Sequence, residues 1–272
     1  MKILVPVDFS DCSVNALRYA AAFGIEMQAE LILFHAFHIP IGGDATFFVD
    51  MKMVKKREQS LQERLLQLGA TLPGKKQLSY QCFTTMALAT EGIFKAIREH
   101  EIDLVIMGTK GATHLSDEWL GSTTYSVVRK ASCPVIAVPE AVKGLHLQAI
   151  ALASDLRPFS NPAAFGFLKD LARRFGASIH MLHVHPHPAE ISADQGEEAL
   201  ILDEIFYNTE HTYHFLEGTD VEEEFQRYIQ THAIDMLVIV PRKHNLLERL
   251  FLRRMTKKMA LHTKIPLLSI YA

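Results

Sequence analysis

Short apolar runs recur along the chain, separated by stretches in which apolar positions return with a helical period. Ile3 to Val7 is the first such run and reads as a strand buried on both faces. Ser10 stands where a helix cap belongs, before an Ala-rich stretch that reads as helix to about Ile25. Leu31 to Phe34 reads as a second strand, residues 46–69 as a long helix with charged residues along one side, and Leu78 to Phe83 as a third strand. Thr90 is expected to cap a helix ending near His100. Leu104 to Met107 and Val135 to Val138 read as strands four and five, with a helix over about Ser122 to Lys130 between them. Strands alternating with helices imply right-handed crossovers and a parallel sheet, so the fold class is α/β. Pro6 has no N–H to give a ladder and is expected at the end of its strand.

The pattern then repeats. Ile102-Asp103-Leu104-Val105-Ile106-Met107 returns as Ile234-Asp235-Met236-Leu237-Val238-Ile239, and Cys133-Pro134-Val135-Ile136-Ala137-Val138 returns as Ile265-Pro266-Leu267-Leu268-Ser269-Ile270, both at an offset of 132 residues. Near the start, Val7-Asp8-Phe9-Ser10 resembles Ser154-Asp155-Leu156-Arg157, and Leu33-Phe34-His35-Ala36 resembles Met181-Leu182-His183-Val184. The chain is expected to hold two similar units, over residues 1–140 and 147–272, joined near Glu140 to Leu147. The last strands, Val135 to Val138 and Leu267 to Ile270, are both apolar. Left exposed they would invite aggregation, so the two units are expected to pair through them.

Composition narrows the classes of function. With 272 residues, 49% hydrophobic and 22% charged, the chain is neither disordered nor collagen-like nor a disulfide scaffold. A net charge of −3 provides no basic field for nucleic acid. No apolar run approaches the ~18 residues of a membrane span, and the first residues read as a strand and not as a leader peptide. Cys12, Cys82 and Cys133 are odd in number, widely spaced and fit no metal pattern, which suits a reducing cytoplasm.

The sharpest chemical signal follows strand four: Gly108-Thr109-Lys110-Gly111, nine residues, then Gly121-Ser122-Thr123-Thr124. Glycines let backbone approach a ligand and take positive φ. Gly121 and Ser122 open a helix whose first N–H groups lack partners and carry the positive end of its dipole. The hydroxyls of Ser122, Thr123 and Thr124 add donors, and Lys110 adds charge. An anion is one reading; a Gly-rich turn before a Ser helix cap is the other. No Walker loop is present. Asp8 ends strand one, and open α/β sheets bind ligands at such strand ends. A carboxylate there either accepts from ribose hydroxyls or caps the following helix.

The spacing Gly108-x2-Gly111-x9-Gly121-Ser122, with Val5-Pro6-Val7-Asp8 at the start and His35 ending strand two, resembles the universal stress protein family. Both halves resemble it, as in tandem-domain members, and the glycine pattern resembles the ATP-binding branch. The resemblance implies two Rossmann-like, adenine nucleotide alpha hydrolase-like units, each a five-stranded parallel sheet in the order 3-2-1-4-5. It implies Pro6 and Asp8 on the nucleoside and Ala36 near adenine. Met107, Gly108, Lys110 and Gly111 would line the base, sugar and phosphate path, and Gly121, Ser122, Thr123 and Thr124 would hold the phosphates. ATP is the implied ligand, with ADP or AMP as alternatives; Asp117 and Glu118 either hold Mg²⁺ or face solvent. Thr123 departs from the Val or Ala common at its place. The implied role is a cytoplasmic ATP-binding protein of stress response or signalling, working through nucleotide-dependent conformation or association, with homo-oligomers left open.

The second half departs from this pattern. At the 132 offset Gly108 becomes Val240, Gly111 becomes Lys243, Gly121 becomes Arg253 and Ser122 becomes Arg254. That half is expected not to bind ATP in the same manner. Residues 242–258 hold seven Lys or Arg and one Glu, which reads as a solvated helix face or an anion contact. His183 and His185 share a strand face, but no further ligand is fixed for a metal; His183 matches His35, which suggests a shared structural role instead. Trp119 reads as a packing anchor. The alternatives are a slow ATPase or self-phosphorylating enzyme, for which His114, Asp117 and Glu118 are the candidates, and a scaffold with a vestigial site. A phospho-acceptor receiver is disfavoured, because Phe9 and Ser10 stand where it needs a second acid and strand three ends in Cys82-Phe83-Thr84-Thr85.

Overall fold

In the computed structural model, which describes residues 1–39, 51–74, 76–110, 120–154, 156, 161–185, 193–218, 221–241 and 264–270, one sheet runs through both halves. The first half supplies β1 (Lys2–Pro6), α1 (Asp11–Met27), β2 (Glu30–Phe37), α2 (Met51–Ala70), β3 (Tyr80–Met86), α3 (Ala89–Glu99), β4 (Leu104–Gly108), α4 (Ser122–Lys130) and β5 (Val135–Val138). The second supplies β6 (Ala149–Ala153), α5 (Phe165–Phe175), β7 (Ser178–His185), α6 (Ala193–Ile205), β8 (His211–Glu217), α7 (Val221–Thr231), β9 (Met236–Ile239) and β10 (Leu267–Ser269). Strand order is β3-β2-β1-β4-β5-β10-β9-β6-β7-β8. Each half is therefore a parallel sheet in the order 3-2-1-4-5, and the two meet where β5 and β10 pair antiparallel, Leu268 opposite Ile136. That is the pairing suggested by two apolar last strands.

Pro6 is the last residue of β1, and the N–H that its neighbour Val7 does carry donates to Phe34 O at 2.8 Å. Ser10 caps α1, its hydroxyl accepting from Ser13 N. Several boundaries differ from the periodicity, most clearly at β2 and β3. β2 runs on to Phe37, and β3 starts at Tyr80 and ends at Met86, because the two pair from Leu31–Tyr80 to Phe37–Met86. Pairing decides these ends, not local pattern. Thr90 does not cap α3: Leu88 is the cap, without a side-chain bond, because Gly92 N already donates to Leu88 O.

The core lies on both faces of the sheet. On one face Leu17, Phe23, Leu33, Phe165, Leu168 and Phe206 are buried; on the other Ile93, Val105, Val127, Phe225 and Leu237. Both layers continue across the junction. The rings of Phe23 (α1) and Phe175 (α5) stand 5.9 Å apart, and Ser269 Oγ in β10 donates to Val128 O at the end of α4. Left-handed residues recur at matching places: Phe9 (φ 64°) and Leu156 (φ 49°) after the first strand of each unit, Glu101 (φ 51°) and Ala233 (φ 48°) before the fourth.

Candidate functional site

At the carboxyl ends of β1, β2 and β4 the first half opens a cleft of about 340 Å³. Its walls include Pro6, Asp8, Ala36, Met107, Gly108, Lys110, Gly121, Ser122, Thr123 and Thr124, residues that come from four separate stretches of sequence. Gly111 lies outside the described residues, as do His114, Asp117, Glu118 and Trp119. Val7, Ser13, Phe34, His38, Ala89 and Ile93 also line the cleft and were not expected. Ser13 had a legible signal, one turn inside a capped helix directly after Asp8. Ala89 and Ile93 had none, because α3 reaches the cleft only through the crossover from β3.

Each wall has a physical reason. The β1–α1 turn holds Asp8: Ser10 donates to Asp8 Oδ1 twice, from N at 3.0 Å and from Oγ at 2.6 Å, while Asp8 N donates to Ser13 Oγ at 3.3 Å. Asp8 thus organises the turn without being the helix cap. Phe9 follows in the left-handed region, a conformation that costs a bulky residue of order 1–3 kcal/mol. Its ring is tilted against His35, 4.8 Å between centroids, and the Arg64 guanidinium lies 4.0 Å from its centroid. His35 Nδ1–H donates to Val7 O at 2.6 Å. Burial lowers the His35 pKa, with Arg64 and Arg57 acting in the same direction against Val7 O and Asp8.

The glycine loop differs from its expected form in two respects. Gly108 and Gly121 do not have positive φ; Gly121 caps α4 at φ −64°. Gly108 is required by space instead: a Cβ there would stand 2.9 Å from Cys12 Sγ and 3.1 Å from the Cys12 backbone. Thr124 lines the cleft, yet its hydroxyl donates to Gly108 O at 2.8 Å and so has no proton left for a ligand. It ties α4 to the end of β4. Gly121 N donates to Thr109 O, closing the loop at its base. Ser122, Thr123 and Thr124 line the cleft at the first turn of α4, where their N–H groups have no acceptor within the helix, and Lys110 lines it beside them. That set suits an anion, at the positive end of a helix. Phe34, Ala36, Ile93 and Met107 add apolar lining to the same cleft.

In the second half His183 Nδ1–H donates to Ser154 O at 3.0 Å, repeating the His35–Val7 bond. The paired histidines thus fasten the second strand to the end of the first in both units. Val240 follows β9 where Gly108 ends β4 and is buried. Asp155, Lys243, Arg253 and Arg254 and the rest of the basic segment lie outside the described residues, as do His187 and the side chain of His185. A different histidine group forms: His180 (β7) stacks on His214 (β8) at 5.3 Å, with His232 and Tyr228 of the α7 end alongside. Among the described residues no group of three or more His, Cys, Asp or Glu is placed to hold a metal ion, and no helix is long and apolar enough to cross a membrane.

Two Rossmann-like α/β units sharing one sheet, with a cleft at the strand ends of the first, define a tandem α/β protein. The model of the universal stress protein family matches residues 1–139 and again 146–270, so the chain belongs to that family, and with it to proteins of stress response. It is similar to a universal stress protein of Methanocaldococcus jannaschii, 29% identical over 155 residues, covering 50% of this chain and 93% of that one. It is also similar to universal stress protein YxiE of Bacillus subtilis, 24% identical over 146 residues, covering 50% of this chain and 97% of that one. Among solved structures, a universal stress protein of Archaeoglobus fulgidus superposes over 99% of this chain and 96% of its own at 18% identity, with a TM-score of 0.68. That likeness supports the two-unit fold.

Proposed function

We propose that the protein binds one adenine nucleotide per chain, ATP or its ADP or AMP products, in the first-half cleft, and works in the cytoplasm as a nucleotide-occupied switch of the stress response. The observation that carries this is the mixed lining of the cleft: the apolar Phe34, Ala36, Ile93 and Met107, the start of α4 at Gly121 to Thr124 with Lys110, and Asp8 all line one cavity. A base fits the apolar lining, a ribose meets the carboxylate, and phosphates meet the helix end. The three cysteines are free, as a reducing compartment requires.

Backbone donors stabilise bound phosphate in the ground state, which does not by itself speed hydrolysis. Hydrolysis also needs an aimed water and charge neutralisation at the γ-phosphate. Turnover is therefore expected far below an ordinary enzyme rate of about 10 per second. Calorimetric titration of nucleotide-free protein with ATP, with and without Mg²⁺, tests the reading. The expected result is one site per chain. Two equivalent sites, or no heat and no shift in melting temperature, would overturn it, and steady-state hydrolysis near 10 per second would make the protein an enzyme.

A further inference from the structure

We propose that Arg64 is a positioning residue for the cleft, acting through the Phe9 ring to hold the left-handed turn from which Asp8 meets a ribose. This rests on the nucleotide reading above. Asp8 and Phe9 are consecutive, so the backbone conformation at Phe9 sets where the Asp8 carboxylate stands relative to α1. An aromatic residue does not keep a φ of 64° without support from its surroundings. The support here is the Phe9 ring's tilted contact with His35 and the Arg64 guanidinium lying over that ring. Arg64 comes from the middle of α2, and that helix is itself fixed to the sheet edge, Gln62 Nε2 donating to Cys82 O at 2.6 Å. The brace therefore runs from β3 through α2 to the turn that carries Asp8.

The two halves supply an internal control. Leu156 takes the same left-handed conformation, and His183 makes the same bond to the strand end, yet Leu156 presents no ring to a cation. Leu156 is buried in the core, so in the second half apolar packing holds the turn that Phe9 holds beside a cation. The aromatic ring with a guanidinium over it occurs in the half with the glycine loop, which is why we assign it to the cleft.

The test compares ATP with 2′,3′-dideoxy-ATP on the full chain. In Arg64→Ala the turn loosens, and ATP affinity is expected to fall about two- to fivefold, the size of an exposed cation–π contact. Dideoxy-ATP, which has no ribose hydroxyls for Asp8, is expected to bind the variant as it binds the parent. Arg64→Lys keeps a cation and restores most of the loss. Phe9→Leu, copying Leu156, has the same effect as Arg64→Ala, and adding Arg64→Ala to it does nothing further, since one interaction cannot be lost twice. Equal losses for both nucleotides, or unchanged ATP affinity in Arg64→Ala, would overturn the proposal while leaving the nucleotide reading standing. Failure of the parent protein to bind either nucleotide would overturn both.

Discussion

Gly108 shows how one residue serves two neighbours. It lines the cleft without a side chain, but the contact that forbids one is Cys12. Gly108→Val, copying Val240, is expected to weaken both the fold and ATP binding; a melting curve and a titration read the two effects separately. Gly121→Arg, copying Arg253, is expected to abolish ATP binding with little change in melting temperature, and unchanged affinity there would count against the loop. The histidine group makes a different residue-scale prediction. Burial lowers the pKa of His180 and His214 from 6.5, and His232 pushes both in the same direction. With folded values below the unfolded one, the unfolded chain binds more protons between them, so stability is full above about pH 6.5 and lost as pH falls through the lowered values. Melting temperatures from pH 7.5 to 5 are expected to drop in the parent and to drop less in His180→Gln/His214→Gln. An equal slope in both would show that these imidazoles do not matter.

At the scale of elements, α4 matters less for its own hydroxyls than for where it is held. The Thr124 hydroxyl on Gly108 O and the Gly121 N–H on Thr109 O fix the helix start against the end of β4. Thr124→Ala removes one buried hydrogen bond and leaves Gly108 O without that donor, a loss of about 1 kcal/mol or somewhat more. Thermal unfolding is expected to show it, and ATP affinity is expected to fall with it. Thr124→Ser retains the hydroxyl and should restore both. If Thr124→Ala binds ATP as tightly as the parent, the helix start does not need this tie.

For the whole molecule the decisive feature is the β5–β10 junction. Val135 to Val138 and Leu267 to Ser269 are all buried, and both core layers cross from one half to the other. The halves are therefore expected to unfold together in one calorimetric transition. Ile136→Asp places an unpaired charge in the middle of the junction, which costs several kcal/mol, and is expected to lower the melting temperature and separate the transition into two. Two transitions already present in the parent would mean that the halves are independent. Saturating ATP should stabilise the parent by about 2.7 kcal/mol at a hundredfold excess over its dissociation constant.

The alternating elements, the doubling of the unit and the loss of glycines in the second copy are legible in the chain alone, because periodicity and repetition are local properties of the chain. The Gly108 and Gly121 segments come together for the same reason, as they flank one strand and one helix. What each side chain does there emerges only from the folded packing. Thr124 looks like a phosphate donor until its hydroxyl is seen on Gly108 O, 16 residues away. Cys12 looks isolated until β4 and β5 come alongside it, with Val138 O 126 residues on. Phe9 and Arg64 share no pattern in sequence, and neither do His180, His214 and His232. Such contacts join residues that the chain keeps far apart, and they depend on which strands become neighbours in the sheet.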